Sequence, residues 1–162
     1  MYRLGILIAG LVFLLDQSSK VIVVSNLGVY EIITVTSFFN IVFVLNTGIS
    51  FGIFASGDAL TRWILTIFTV AVIILLSCWL YRAKEKNLCV ALGMIIGGAI
   101  GNVVDRVIRG GVVDFLDFHA MAWHWPAFNV ADSAIMIGVG IFFLASLLGR
   151  RVTSKLGPND PR

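Results

Sequence analysis

The sequence predicts an all-α membrane protein with four transmembrane helices. Of its 162 residues, 59% are hydrophobic and 13% are charged, whereas about 25% of the residues in soluble globular proteins are charged. The mean hydropathy is +0.98, and four separate apolar stretches are long enough to span a bilayer. This composition excludes a disordered chain, a disulfide-rich secreted domain and a nucleic-acid-binding protein.

Each of the four stretches is close to the roughly 20 helical residues that cross a hydrocarbon core. They run from Leu4 to Val24, from Trp63 to Leu80, from Leu88 to Ile108 and from Val130 to Leu148. The first could be mistaken for a cleaved signal peptide, but it exceeds an apolar core of about 7–15 residues, so we expect a retained helix. We expect one integral membrane domain over residues 1–151 and a flexible cytoplasmic tail over residues 152–162.

The basic residues predict the orientation of the chain. Eight of the 12 Lys and Arg residues flank one set of helix ends, which the positive-inside rule places in the cytoplasm. They are Arg3, Arg82, Lys84, Lys86, Arg150, Arg151, Lys155 and Arg162. Both termini are therefore predicted to be cytoplasmic, and residues 26–58 and 109–129 are predicted to be extracytoplasmic.

The first extracytoplasmic segment favours strands rather than a helix. Residues 31–45 are rich in β-branched and aromatic side chains, which are typical of strands. Because such an apolar sheet would be poorly accommodated in water, we expect it to lie against the membrane surface. The second segment contains His124 between two tryptophans, and we predict no particular helix or strand in it.

Ionisable residues inside the predicted spans need an explanation, since each costs about 2.5–3.5 kcal/mol at a helix centre. Asp16 and Lys20 are four residues apart in the first span, so their side chains can pair on one helix face. Two interpretations are open. The pair either neutralises itself so that the helix inserts, or it braces a site in the outer leaflet.

The third span ends in a second polar group. Asn102, Asp105 and Arg106 are spaced i, i+3 and i+4, and they therefore share one helix face. Upstream, two overlapping small-xxx-small repeats permit close helix packing, and they consist of Gly93, Gly97 and Gly101. Close packing would carry the polar end into the bundle, either as part of a functional site or as a structural cluster.

Asp114 and Asp132 are the candidate catalytic residues. Asp114 follows the third span and Asp132 lies near the start of the fourth, with Pro126 bending the loop between them. Two carboxyl groups in a low-dielectric site share one proton, so that one can act as a base while the other donates a hydrogen bond. Without further information, the two could also be ordinary interfacial charges.

Other chemistries lack their sequence patterns. The chain has no Gly-x-Ser-x-Gly, His-Glu-x-x-His or Walker A motif. His119 and His124 lie near Asp117, but their spacing matches no recognised metal-ligand pattern, and we expect them to be structural residues at the interface. Cys78 and Cys89 are expected to be reduced thiols.

With these residues in place, the chain resembles the bacterial lipoprotein signal peptidases, also called type II signal peptidases. The resemblance covers roughly residues 10–148 and rests on five blocks in order. They are Asp16-Gln17-Ser18-Ser19-Lys20, Asn46-Thr47-Gly48-Ile49-Ser50-Phe51-Gly52, Gly97-Gly98-Ala99-Ile100-Gly101-Asn102-Val103-Val104-Asp105-Arg106, Val112-Val113-Asp114-Phe115 and Phe128-Asn129-Val130-Ala131-Asp132-Ser133. Ile49-Ser50 is a departure, because the family more often has small residues there.

The resemblance implies an aspartic endopeptidase of the bacterial cytoplasmic (inner) membrane that removes signal peptides from prolipoproteins. The family cleaves just before a cysteine that carries a diacylglyceryl group, uses no cofactor or metal, and is inhibited by globomycin. Asp114 and Asp132 match its catalytic pair. The positions that match its supporting or substrate-binding residues are Asp16, Lys20, Asn46, Gly48, Asn102, Asp105, Arg106 and Asn129. The family fold adds a small β-sheet at the extracytoplasmic surface to the four helices.

Two other classes of function are alternatives. A small transporter or channel would line a path with polar residues through the full membrane depth, yet the second span has no charged residue. A non-catalytic assembly subunit would tolerate the loss of both aspartates. The expected partners are diacylglyceryl-modified prolipoproteins and membrane lipids, without nucleic acid, and the protein is expected to be monomeric.

Overall fold

A computed structural model describes residues 1–48 and 59–155 of the chain, with only the backbone helix described over 148–155. Four helices and four strands follow one another along the sequence. They are α1 (Tyr2–Asn26), β1 (Ile32–Thr36), β2 (Phe39–Asn46), α2 (Ala59–Arg82), α3 (Lys86–Ile108), β3 (Val112–Ala120), β4 (Trp123–His124) and α4 (Val130–Lys155). All four helices are long and apolar enough to cross a membrane.

The predicted four helices and small sheet are confirmed, with longer helices than the sequence indicated. The helix α2 begins at Ala59 rather than Trp63, and α4 continues to Lys155 beyond the predicted end at Leu148. The first residues of the predicted tail therefore belong to α4, and residues 156–162 lie outside the described part of the chain. The strands β1 and β2 occupy the segment whose composition favoured strands.

The helix α3 is the inner helix of the bundle. Of its most apolar window, 56% is buried, against 11% of the corresponding window of α2. The glycines of α3 make this burial possible. A Cβ atom on Gly97 would lie 2.5 Å from the carbonyl oxygen of Ala9 in α1, and one on Gly98 would lie 2.5 Å from that of Ala131 in α4. The predicted close packing of this glycine face is confirmed.

An antiparallel sheet in the order β1-β2-β3-β4 lies at the end of the bundle where α1 and α3 end and α4 begins. Val44 of β2 pairs with Asp114 of β3, after a register irregularity that begins at Ile41. The sheet is joined to α1 by a buried apolar cluster of Val23, Leu27, Phe43, Val113 and Phe115. This cluster fixes the start of β3 beside the helix ends.

Gly97→Ala is expected to lower the thermal stability of the protein, because the added methyl group meets backbone of α1 that moves only together with the helix. Overpacking of this kind costs about 1–3 kcal/mol. Gly140→Ala in α4 is the matched control, since no atom in the described part of the chain lies within 4 Å of a Cβ atom there. Thermal unfolding in detergent should separate the two variants, and equal midpoints would contradict the packing argument.

Candidate active site

The polar residues predicted in separate segments meet at the sheet end of the bundle. The second half of α1 brings Asp16 and Lys20, the end of α3 brings Asn102 and Asp105, and Asp114 enters on β3. The start of α4 adds Asn129 and Asp132. Segments far apart in sequence thus form one cluster, most of which is buried.

Asp114 is buried and held by two side-chain amides. Its Oδ2 accepts a hydrogen bond of 3.0 Å from Asn46, and its Oδ1 accepts one of 2.7 Å from Asn129. Burial, and next the negative charge of Asp132, raise the pKa of Asp114 to about 7, although both amide bonds act in the opposite direction. This carboxyl group therefore holds a proton much more readily than an ordinary aspartate near neutral pH.

Asp132 lies in the first turn of α4 and is positioned by the cap of that helix. Asn129 precedes the helix, and its side-chain oxygen accepts the backbone N–H of Asp132 at 2.9 Å. The same amide donates to Asp114, so one side chain contacts both aspartates. The Oδ1 of Asp132 also accepts a hydrogen bond of 2.8 Å from Asn102. Asn129 therefore ties the carboxylate of Asp114 to the backbone of Asp132, and the two aspartates are close enough for the charge of Asp132 to raise the pKa of Asp114.

Partners on both sides fix the orientation of the three asparagine amides. The oxygen of Asn46 accepts the backbone N–H of Gly48, and the oxygen of Asn102 accepts a hydrogen bond of 3.1 Å from Lys20. The oxygen of Asn129 is used by the N–H of Asp132. Each amide is left with its NH₂ group directed at a carboxylate. Residues 49–58, which include the unusual Ile49-Ser50, lie outside the described residues.

Lys20 is the central cation of the cluster and is completely buried. Its ammonium lies 2.8 Å from Asp16 and 2.7 Å from Asp105, and it also donates to Asn102. Asp16 in turn accepts the backbone N–H of Ala131 at 2.9 Å, one of the N–H groups that the start of α4 leaves without a partner inside the helix. The predicted Asp16–Lys20 pair therefore forms, and it joins α1 to both α3 and α4 rather than being confined to one helix.

Two residues of this network were not identified from the sequence. Gln17 donates to both Asp16 and Asp105, and Arg109 pairs with Asp105. The spacing of Arg109 four residues after Asp105 was a usable signal, since such pairs meet on one helix face. Asp105 also accepts the backbone N–H of Val113, which ties the end of α3 to the start of β3.

The cluster has an unbalanced charge when all its groups are ionised. Arg106 donates within its own helix to Asn102, and its guanidinium interacts electrostatically with Asp132, Asp114 and Asp105. The carboxyl groups are those of Asp16, Asp105, Asp114 and Asp132, and the basic groups are those of Lys20, Arg106 and Arg109. Four acids against three bases leave one negative charge, which a single proton on Asp114 or Asp132 would remove.

An apolar cleft opens beside Asp132. It has a volume of about 410 Å³ and extends from the loop before α4 onto the helix face that carries Met136 and Ile137. Trp125 and Phe128 line its other side. Because Met136 and Ile137 are exposed in a helix long enough to span a membrane, the cleft faces the lipid side of the bundle.

A second group of polar residues lies on the sheet, outside this cluster. Asp117 contacts His124 at 2.9 Å and accepts a hydrogen bond from Asn40, while the rings of His119 and His124 stack with their centroids 4.8 Å apart. Burial raises the pKa of Asp117, but the hydrogen bonds from Asn40 and His124 lower it by a larger amount. The pKa of Asp117 is therefore below its ordinary value. The two histidines thus meet across strands in a way that their spacing did not predict.

The chain is similar to known membrane enzymes over almost its whole length. A family model described as signal peptidase (SPase) II matches residues 8–148. The lipoprotein signal peptidase of Janthinobacterium sp. (strain Marseille) is 48% identical over 90% of this chain and 87% of its own. That of Polynucleobacter necessarius subsp. necessarius (strain STIR1) is 46% identical over 86% of each chain.

A solved structure described as a bacterial membrane enzyme, obtained by the in meso method at 2.3 Å resolution, has the same fold. It superposes with a TM-score of 0.82 at 32% identity and covers 98% of this chain and 94% of its own. A second structure so described, at 1.9 Å resolution, has a TM-score of 0.79 at 31% identity and covers 88% of this chain and 92% of its own.

Lys20→Met is expected to destabilise the protein strongly, because it leaves the buried carboxylate of Asp16 without its cation. Removing one member of a buried ion pair costs about 3–5 kcal/mol. The double change Lys20→Met with Asp16→Asn should recover part of the loss, since the asparagine oxygen still accepts the N–H of Ala131. Thermal unfolding in detergent measures both, and Lys84→Met, at an exposed turn, is the control. Equal midpoints for Lys20→Met and Lys84→Met would contradict the role of Lys20.

Proposed function

Because the chain belongs to the signal peptidase II family, we infer that the cluster around Asp114 and Asp132 is the site where it hydrolyses prolipoproteins. The protein is a membrane aspartic peptidase that removes the signal peptide from lipoprotein precursors. The observation that carries the assignment of the site is that Asn129 bonds both the carboxylate of Asp114, whose pKa is raised to about 7, and the backbone N–H of Asp132. Two acids that share a proton can supply a base and an acid in the same step.

Hydrolysis then proceeds by direct attack of water. The ionised carboxylate takes a proton from a water molecule while the water oxygen bonds to the carbonyl carbon of the scissile peptide. The protonated carboxyl group donates a hydrogen bond to the carbonyl oxygen, where negative charge develops. When the carbon–nitrogen bond breaks, a proton from the pair passes to the leaving amine. The pair titrates as one unit, and no acyl-enzyme forms.

The neighbouring residues act as positioning groups. Asn46, Asn102 and Asn129 orient the two carboxyl groups, and the backbone N–H of Gly48 holds the amide of Asn46. Asp16, Lys20 and Asp105 brace the three helices that carry the pair. We propose that Arg106 positions either the substrate backbone or the two aspartates, because its positive charge interacts with both carboxylates.

The apolar cleft beside Asp132 is suited to a lipidated substrate. Its walls of Trp125, Phe128, Met136 and Ile137 offer an apolar surface next to a carboxyl group. A substrate whose cysteine carries a diacylglyceryl group has its scissile bond near the membrane surface, and it can reach this cleft sideways from the bilayer. We propose that the cleft receives the substrate next to that cysteine, with surrounding lipids as the other partners.

We propose that the enzyme lies in the bacterial cytoplasmic membrane with both termini inside and the site outside. The support is the concentration of basic residues at the helix ends opposite the sheet. We also propose that residues 1–151 act as one domain and as a monomer, since every group of the cluster comes from one chain. The alternative of a transporter or channel is not supported by the family match.

Asp114→Asn and Asp132→Asn are each expected to abolish cleavage of a purified diacylglyceryl-modified prolipoprotein. One general acid–base group contributes about 10²–10⁴-fold to a rate, and an amide cannot replace it. Glu31→Gln, at an exposed carboxyl group near β1, is the control and should cleave normally. Thermal unfolding should show that both aspartate variants remain folded. Normal cleavage by either folded variant would refute the assignment of the pair.

The pH profile should report the shared proton. With a pKa of about 7 at Asp114, kcat/KM is expected to fall as the pH rises through about 7, where the pair becomes fully ionised. The amide of Asn46 stabilises the ionised form, so Asn46→Ala should raise this pKa and move the alkaline limb to higher pH. Asn26→Ala, which loses only a bond to Ile22 in its own helix, should leave the limb in place. An unmoved limb in Asn46→Ala would show that another group controls it.

A further inference from the structure

We propose that Asp117, His119 and His124 form a binding site for a divalent transition-metal ion of the Zn²⁺ class. The site is separate from the proposed catalytic pair. Each of the three residues offers one ligand atom, and these atoms all lie within 4.8 Å of one another. The resulting donor set has two imidazole nitrogens and one carboxylate oxygen, which suits Zn²⁺, Co²⁺ or Ni²⁺ rather than Mg²⁺ or Ca²⁺.

The strand register brings these donors together. Asp117 and His119 are two residues apart on β3, so their side chains leave the same face of the sheet. His124 on β4 is the direct cross-strand neighbour of His119. Asp114, three residues before Asp117, has the opposite parity on β3, and alternation directs it to the other face. One strand therefore carries the catalytic candidate on one face and the metal donors on the other.

The distances fit a metal site after a small rearrangement of side chains. Zinc–ligand bonds of about 2.0–2.2 Å place tetrahedral donors roughly 3.3–3.5 Å apart. The Nδ1 atom of His124 lies 2.9 Å from Oδ1 and 3.0 Å from Oδ2 of Asp117, so a bound ion would replace this direct contact and move the two groups slightly apart. The ring of His119 stacks on that of His124 at an interplanar angle of 13°. Side-chain rotations alone, without a change of strand register, would bring the donors to ligand distances.

Asn40 provides an independent indication of a missing partner. It pairs with Asp117 across β2 and β3, is 6% exposed, and donates its amide to the Asp117 carboxylate. Its side-chain oxygen is buried and has no hydrogen-bond partner among the residues that the structure describes. An unsatisfied buried oxygen is costly. The NH₂ group faces the donors, 3.4 Å from Nδ1 of His119, so a half-turn of the amide would exchange it for the oxygen and direct the oxygen at a bound cation. We therefore include this oxygen as a candidate fourth ligand.

An ion can reach the site from the solvent side. The side chain of His124 is 51% exposed, whereas that of Asp117 is 9% exposed, so the donor set is open on one side and supported on the other. A bound ion would join β4, β3 and, through Asn40, β2. Its expected effect is to stabilise the sheet on which Asp114 lies, without contact with the reacting groups.

Titration with Zn²⁺ and Co²⁺ tests the proposal, using the full chain in detergent with a histidine-free purification tag. Calorimetry should detect one Zn²⁺ ion per chain, and Co²⁺ should acquire the visible absorption of a low-coordinate nitrogen–oxygen site. His119→Ala and His124→Ala should each weaken binding by more than about tenfold, a loss typical of even an outer-shell partner. If Asn40 supplies the fourth ligand, Asn40→Ala should change the absorption spectrum of bound Co²⁺, and an unchanged spectrum would exclude Asn40 as a ligand. Zn²⁺ should raise the unfolding temperature of the native chain but not that of His124→Ala.

Two matched controls distinguish this site from other sources of metal binding. Cys78→Ser removes an exposed thiol, a type of group that is itself a zinc ligand in other proteins, and Asp114→Asn alters the opposite face of β3. Both variants should bind Zn²⁺ as the native chain does, whether or not Asp114→Asn is active. Loss of Zn²⁺ binding in Cys78→Ser would overturn the proposal. So would the absence of saturable Zn²⁺ binding in the native chain, or unchanged binding in the double variant that carries both His119→Ala and His124→Ala. Because the side chain of His124 is half exposed, we expect His124→Ala to fold. Its unfolding temperature is then the reference for the effect of Zn²⁺ on the native chain.

Discussion

The burial of several carboxyl groups at one end of a helical bundle is the constraint on which this structure depends. Each such group is expensive in a low-dielectric setting unless a cation or a hydrogen-bond donor reaches it. Lys20 meets this need for Asp16 and Asp105 at once, and backbone N–H groups at the starts of α4 and β3 bond the same two acids. Asparagine amides supply the donors to Asp114 and Asp132. The acids thereby use donors that helix and strand ends leave unpaired. The same contacts that make the charges tolerable also fix the relative positions of α1, α3, β3 and α4.

The glycine face of α3 and the polar cluster depend on each other. Gly101 continues the row of small residues, and a side chain there would occupy the position of the Asp16 carboxylate. Close approach of α1 to α3 is therefore what allows Asp16 to reach the amino end of α4 and Lys20 to reach Asp105. In lipid, where apolar helices gain little from contacting each other rather than acyl chains, small residues and interhelical polar contacts are the available sources of specific association. Here they occur along one line of the same helix.

Sequence reasoning predicted the features that are encoded locally. Apolar length indicated the four spans, and spacing of i and i+4 indicated the pair of Asp16 with Lys20. It did not reveal β3, since the strand is recognised through its pairing with β2 rather than through its composition. It also did not reveal the contact of Asp16 with the backbone of Ala131, because 115 residues separate them and only helix packing brings them together. His119 and His124 were judged by their spacing, whereas their proximity follows from the register of a hairpin.

The place of the buried lysine explains how the proposed catalytic pair can keep a proton while a cation lies close by. An ammonium bonded directly to Asp114 or Asp132 would favour the ionised form and remove the shared proton. Lys20 instead donates to the oxygen of Asn102, and the other end of that amide donates to Asp132. The amide of Asn102 fixes the position of Asp132 relative to Lys20, but it carries no net charge. An amide N–H can also bond an oxygen of a carboxylate or of a neutral carboxyl group, so the asparagines support the pair in both of its protonation states without moving. Neutral donors contact the proposed pair and the ammonium of Lys20 lies one side chain further away, which favours a pair that keeps one proton.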